Sequence, residues 1–188
     1  MSELAAVPAL GPLFARAVLA RRHGSADPSD DRLSVRDQPV DADRLVRYQR
    51  LCGFPVSGVL PVTYLHLMSF PLAVARMVQP DFPFPLLGLV HLGNRIEQLR
   101  PVSRAEPVSL SVRAAGLREH PAGRLIDLVS EAQIGTEPVW REVSNYLHRE
   151  RATERAPREP AGPATPAGPV IRWAAPADIG RHYAAVSG

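Results

Sequence analysis

The sequence predicts an α+β fold in which a curved antiparallel sheet wraps around one central helix. Three observations point to it. Residues 60 to 78 are apolar on every side, as a buried helix requires; apolar residues recur at period two beyond Phe84; and turns rich in Gly and Pro divide that second region at hairpin spacing. The chain has 188 residues, 45% of them hydrophobic, enough for one domain to bury a core.

The elements follow in order. Leu10, Leu13, Phe14, Ala17 and Val18 fall at helical spacing and predict a short amphipathic helix over 10–22, ending near Gly24. The apolar opening lacks a basic segment and Arg16 comes too soon for a spanning helix, so no export signal or membrane span is expected. Residues 24–40 are rich in Ser, Asp and Pro and read as a loop. Asp41 or Asp43 caps a helix through Leu51 that places Leu45, Tyr48, Gln49 and Cys52 on one side; Gly53, Pro55 and Gly58 end it.

The central helix follows, and Pro71 within it is expected to kink or split it, because proline lacks the N–H and crowds the preceding turn. Strands are predicted over 86–92, 94–100, 108–114, 125–133 and 139–148, with turns at His120 to Gly123 and Gly135 to Pro138. Beyond Glu150, Pro157, Pro160, Pro163, Pro166 and Pro169 recur at every third residue. That is the period of polyproline II, which makes an extended spacer.

Composition excludes several chemistries. All 22 basic residues are arginine, so neither a Schiff-base lysine nor a phosphate-loop lysine exists. A net charge of +3, with arginines scattered among 19 acids, describes a mixed solvated surface and no nucleic-acid footprint. Cys52 is the only cysteine, so no intrachain disulfide forms, and a reducing cytoplasm fits. No two histidines flank a glutamate at zinc-helix spacing, and the reading calls for no metal and no cofactor.

Residues 177–188 replay 42–53 without a gap: Ala42/Ala177, Asp43/Asp178, Tyr48/Tyr183 and Gly53/Gly188 are identical, and Leu51/Val186 stays apolar. The repeat predicts that a second structural unit begins near the end of the sequence.

Leu60-Pro-Val-Thr-Tyr-Leu-His-Leu-Met-Ser-Phe-Pro-Leu-Ala-Val-Ala75, Phe82-Pro-Phe-Pro-Leu-Leu-Gly-Leu-Val-His-Leu-Gly-Asn-Arg-Ile-Glu-Gln-Leu-Arg-Pro101 and Gly11-Pro-Leu-Phe-Ala-Arg-Ala17 resemble the N-terminal half of actinobacterial MaoC-like acyl dehydratases. These are double-hotdog proteins related to R-specific enoyl thioester hydratases. The resemblance covers residues 8–148 and resumes at 173–188. It implies a hotdog fold, a pseudodimer of two repeats, and chemistry carried by the C-terminal repeat. There, an Asp-x-Asn-Pro-x-x-His motif follows a Tyr-x-x-x-Ser-Gly stretch like Tyr183 to Gly188. In the first repeat Gly53 is followed by Phe-Pro-Val-Ser, with neither carboxylate nor histidine. Hydration of an enoyl thioester needs such a pair on one water, plus N–H donors for the thioester oxygen.

The expected division is therefore an N-terminal helix and loop (1–40), a non-catalytic hotdog repeat (41–150), a Pro-rich linker (151–170) and the start of a truncated second repeat (171–188). No catalytic residue is expected in this chain. The resemblance implies an acyl-tail wall from Tyr64, Leu67, Met68 and Leu72, for which plain core is the ordinary alternative. His66 and His91 are placed where an acyl thioester could pass, although such histidines commonly sit in a core or rim with one satisfied hydrogen bond. Glu97, Asp127, Glu131 and Glu142 are expected to face solvent. Arg95, Arg100 and Arg104 could meet the phosphates of CoA or of a carrier protein's arm, or simply be solvated.

The expected ligand is an acyl-CoA or acyl-carrier-protein thioester. The expected assembly is a homodimer, or a heterodimer with a catalytic hotdog chain. The alternatives are an acyl-binding subunit of a heteromeric dehydratase and a stand-alone thioesterase-type homodimer. The latter needs a carboxylate near the thioester.

Overall fold

The computed structural model describes residues 2–19, 31–150 and 174–187. The proline-spaced segment and positions 20–22 of the first expected helix lie outside the described residues. The elements are β1 (Ser2–Glu3), α1 (Leu10–Leu19), β2 (Arg32–Gln38), α2 (Ala42–Leu51), α3 (Tyr64–Met77), β3 (Leu89–Gln98), β4 (Val108–His120), β5 (Gly123–Ile134), β6 (Glu137–Arg149) and α4 (Ile179–Ser187). No helix among them is long and apolar enough to cross a membrane.

The all-round apolar segment is α3, and the sheet wraps it. Leu72 and Val74 are fully buried, as are Val108, Val112 and Ile126 from the sheet face that covers the helix. The helix runs unbroken through Pro71 and is not split. Proline removes the bond that would reach the carbonyl of Leu67, but Leu67, Leu72 and Val74 are held in the core on either side, and this packing carries the helix across the gap. Asp41 is the N-cap of α2, its carboxylate accepting from the backbone N–H of Arg44 at 2.9 Å.

The six strands lie in the order β1-β2-β4-β5-β6-β3, all antiparallel except the two-residue β1–β2 pair. The expectation of a loop over 24–40 is corrected by β2. Its Leu33 and Val35 are buried at period two and pair with Val112 and Leu110 of β4. Only two apolar side chains mark this strand, in a stretch otherwise charged and polar. The separate strands expected over 86–92 and 94–100 form one strand, β3, whose register shifts between His91 and Gly93. That bulge leaves Leu92 half exposed and explains the broken alternation.

Both expected hairpin turns are present, after His120 and after Ile134. Gly123, at φ +137°, opens β5 where an added Cβ would lie 2.0 Å from the carbonyl oxygen of His148. Gly123→Ala is therefore expected to destabilise the chain by about 2 kcal/mol, read as a lower denaturant midpoint at unchanged slope.

Candidate functional site

The four α3 residues expected as an acyl wall lie together on the central helix. Tyr64, Leu67 and Leu72 are fully buried in the core, and Met68 packs against it partly covered. Tyr64 meets Tyr48 edge-on, with ring centroids 5.3 Å apart. His91 is not part of this group: it lies exposed on the edge strand β3, its ring 5.0 Å from that of Tyr146.

The polar centre of the fold is a set that sequence reasoning left unassembled. Glu142, expected at the solvent face, is buried at 1% exposure. This corrects the reading of β6, where Trp140, Glu142, Ser144 and Tyr146 share one parity and one face. The signal was present: alternation with buried aromatics on both sides assigns Glu142 to the helix-facing side. Its Oε1 accepts from His66 Nδ1 at 2.6 Å, from Ser144 Oγ at 3.0 Å and from Asn94 Nδ2. The three donors come from the first turn of α3, from β6 and from β3, so one carboxylate ties the helix to the sheet.

For all three to donate, His66 carries a proton on Nδ1. The side chain is about a quarter exposed and leans on Phe70, with ring centroids 5.9 Å apart. The arrangement can orient an imidazole and hold a proton.

The segment after Gly53, where a hydratase motif would fall, has different chemistry. Gln49 is fully buried and donates from Nε2 to the carbonyls of Ser57 and Val59, both at 3.2 Å. Tyr48 meets the hydroxyl of Thr63 at 2.7 Å. No acid or imidazole lies between Gly53 and Thr63.

Burial raises the phenols of Tyr48 and Tyr146 from 10.0 to about 12; the charge of Glu142 adds to the effect at Tyr146. Because the folded pKa lies above the unfolded one, the contribution is whole below pH 10 and is lost as pH rises toward 12. Melting temperature is expected to fall over that window, and to fall less steeply in Tyr146→Phe.

On the opposite face of the sheet, a shallow cleft of about 290 Å³ is lined by Arg95, Glu97, Arg141, Val143 and Asn145. It is polar. Arg95 is paired with Glu97 at 2.5 Å, and Arg100 with Glu106 at 2.9 Å and Glu137 at 3.0 Å, so both arginines already have carboxylate partners. Asp127 and Glu131 face this side too, in pairs with Arg118 at 2.8 Å and Arg32 at 2.9 Å. Among the described residues no group of three His, Cys, Asp or Glu is placed to hold a metal ion.

No family model matches the chain. It is 33% identical over 159 residues, 83% of its length, to the 3-hydroxyacyl-thioester dehydratase X of Mycobacterium tuberculosis. A crystal structure of that protein, HtdX, aligns with 82% of the chain at 32% identity and a TM-score of 0.64. A MaoC-like dehydratase from Phytophthora capsici aligns with 85% of the chain and 62% of its own, with a TM-score of 0.60 at 14% identity, a likeness of fold. The chain spans 56% of the length of the curated relative and 62% of the HtdX crystal chain.

Proposed function

Since the chain belongs to the MaoC-like acyl dehydratase family and has its hotdog fold, we propose that it is the acyl-binding, non-catalytic hotdog of a 3-hydroxyacyl-thioester dehydratase. On this reading residues 41–150 form the non-catalytic repeat behind an N-terminal helix and loop (1–40), residues 151–170 are a spacer, and 171–188 open a second repeat. The ligand is an acyl-CoA or acyl-carrier-protein thioester in a reducing cytoplasm. Tyr64, Leu67, Met68 and Leu72 belong to the helix against which the acyl tail packs, and His91 lies at the rim.

One observation carries the reading: the loop that precedes the central helix, closed by Gln49, offers neither of the two groups that hydration needs. Without them this loop supplies none of the roughly hundred- to ten-thousandfold that positioned acid–base groups give. The 188-residue protein alone is expected not to hydrate crotonyl-CoA, followed by loss of enoyl-thioester absorbance; robust turnover would sink the proposal.

A second reading, a subunit of a heteromeric dehydratase, is favoured by the edge of the sheet. Among the described residues β3 has a neighbouring strand on one side only, and Leu87, Leu92 and Leu99 around it are at least half exposed. Hydration that appears only on mixing with a catalytic hotdog chain selects this reading.

A further inference from the structure

The polar centre of the fold holds two hydrogen-bonding groups that its own network does not use. His66 Nδ1 and Asn94 Nδ2 both bond Oε1 of Glu142, so the imidazole of α3 and the amide of β3 stand side by side. The other ring nitrogen, Nε2, has no hydrogen-bond partner among the described residues and is not enclosed, the side chain being 26% exposed. The amide of Asn94 has a second N–H, and Asn94 is exposed on the edge strand. A carboxylate that only ties helix to sheet needs neither of these groups at the surface.

Glu142 supplies what a solvated histidine lacks. Buried at 1% exposure, it fixes the ring through the Nδ1 bond, and a base oriented by a buried carboxylate accepts a proton from a defined direction. One such nitrogen does not suffice to hydrate an enoyl thioester, which needs both a base on the water and an acid for the substrate carbon. It does suffice for hydrolysis of the thioester bond, because a thiolate leaves without prior protonation, the thiol pKa being about 8.5.

We propose that His66 is the general base, and Glu142 its positioning residue, of a site at which water hydrolyses an acyl thioester. Only the substrate class rests on the dehydratase reading. Nε2 of the neutral ring takes a proton from water as the water oxygen bonds the thioester carbon. The π pair of the carbonyl moves onto its oxygen, which the second N–H of Asn94 bonds. When that pair returns, the C–S bond breaks with its electrons on sulfur, and the proton passes from Nε2 to the thiolate. One carboxylic acid and one thiol result, and Glu142 stays ionised throughout.

The test uses the full chain and butyryl-CoA, a saturated thioester with no double bond to hydrate, so its outcome is separate from that of the crotonyl-CoA assay. Free CoA, resolved by chromatography, is expected to appear faster than in buffer alone. His66→Gln, whose amide keeps a donor for Glu142, should lower kcat roughly hundredfold. Glu142→Gln should lower kcat by about tenfold or more at unchanged KM, as expected when a base loses its orientation and binding is kept. His182→Gln, at an exposed histidine of α4, should leave the rate as it is. Release no faster than in buffer, unchanged kcat in His66→Gln or Glu142→Gln, or an equal loss in His182→Gln overturns the proposal. If circular dichroism shows either of the first two variants unfolded, Asn94→Ala at the exposed edge replaces it: a loss of about tenfold or more in kcat is expected, and no loss overturns the assignment.

Discussion

Glu142→Ala is expected to lower the stability of the chain by about 3–5 kcal/mol, the cost of leaving several donors of a buried hydrogen-bonded network without their acceptor. The carboxylate is 1% exposed and collects donors from three elements on a single oxygen. Removing it leaves the Nδ1–H of His66, the amide of Asn94 and the hydroxyl of Ser144 without their acceptor in a region largely closed to water.

Glu142→Gln keeps the shape and one acceptor oxygen, and should cost less, about 1–2 kcal/mol. A double-mutant cycle with His66→Ala separates the pair from its surroundings, and a coupling of about 1–3 kcal/mol is expected by urea unfolding. A cost below about 1 kcal/mol for Glu142→Ala would mean that the carboxylate does not hold the helix to the sheet.

The same residue shows where the sequence could be read and where it could not. The order of one buried helix followed by long strands was legible because both signals are one-dimensional. A helix apolar on all sides from Tyr64 to Met77, and alternation from Val108 to Ala114, need no knowledge of partners. β2 was not legible. Leu33 and Val35 earn their burial only when opposite Val112 and Leu110, a pairing that a local window does not contain.

Glu142 failed for a different reason. A glutamate on a strand is usually solvated, whereas here Trp140 and Tyr146 fix the parity of β6 and Glu142 is buried with them. Asn94 and His66 then become its donors only through the β3–β6 register and the placement of α3. Polar networks are built by tertiary structure, so one member can be found by parity while the rest await the fold. The terminal repeat was legible as a pattern, but its contact with α2 belongs to three dimensions.

Trp140→Ala is expected to cost about 4 kcal/mol, and its importance lies in what the indole holds. Trp140 is 1% exposed, and its Nε1–H donates to the carbonyl of Val62 at 2.9 Å. Val62 immediately precedes Thr63, the N-cap of α3, whose side chain makes no capping bond to the helix and is instead paired with Tyr48. The start of α3 is therefore fixed from outside, by Trp140 on one side and Tyr48 on the other.

Trp140→Phe separates the two contributions. It preserves most of the buried area and removes the donor, leaving the Val62 carbonyl unpaired at a cost of about 1–3 kcal/mol. If the indole bond positions the first turn of α3, Trp140→Phe should also weaken the coupling between His66 and Glu142 measured by the double-mutant cycle. Loss of stability with that coupling unchanged would confine Trp140 to packing.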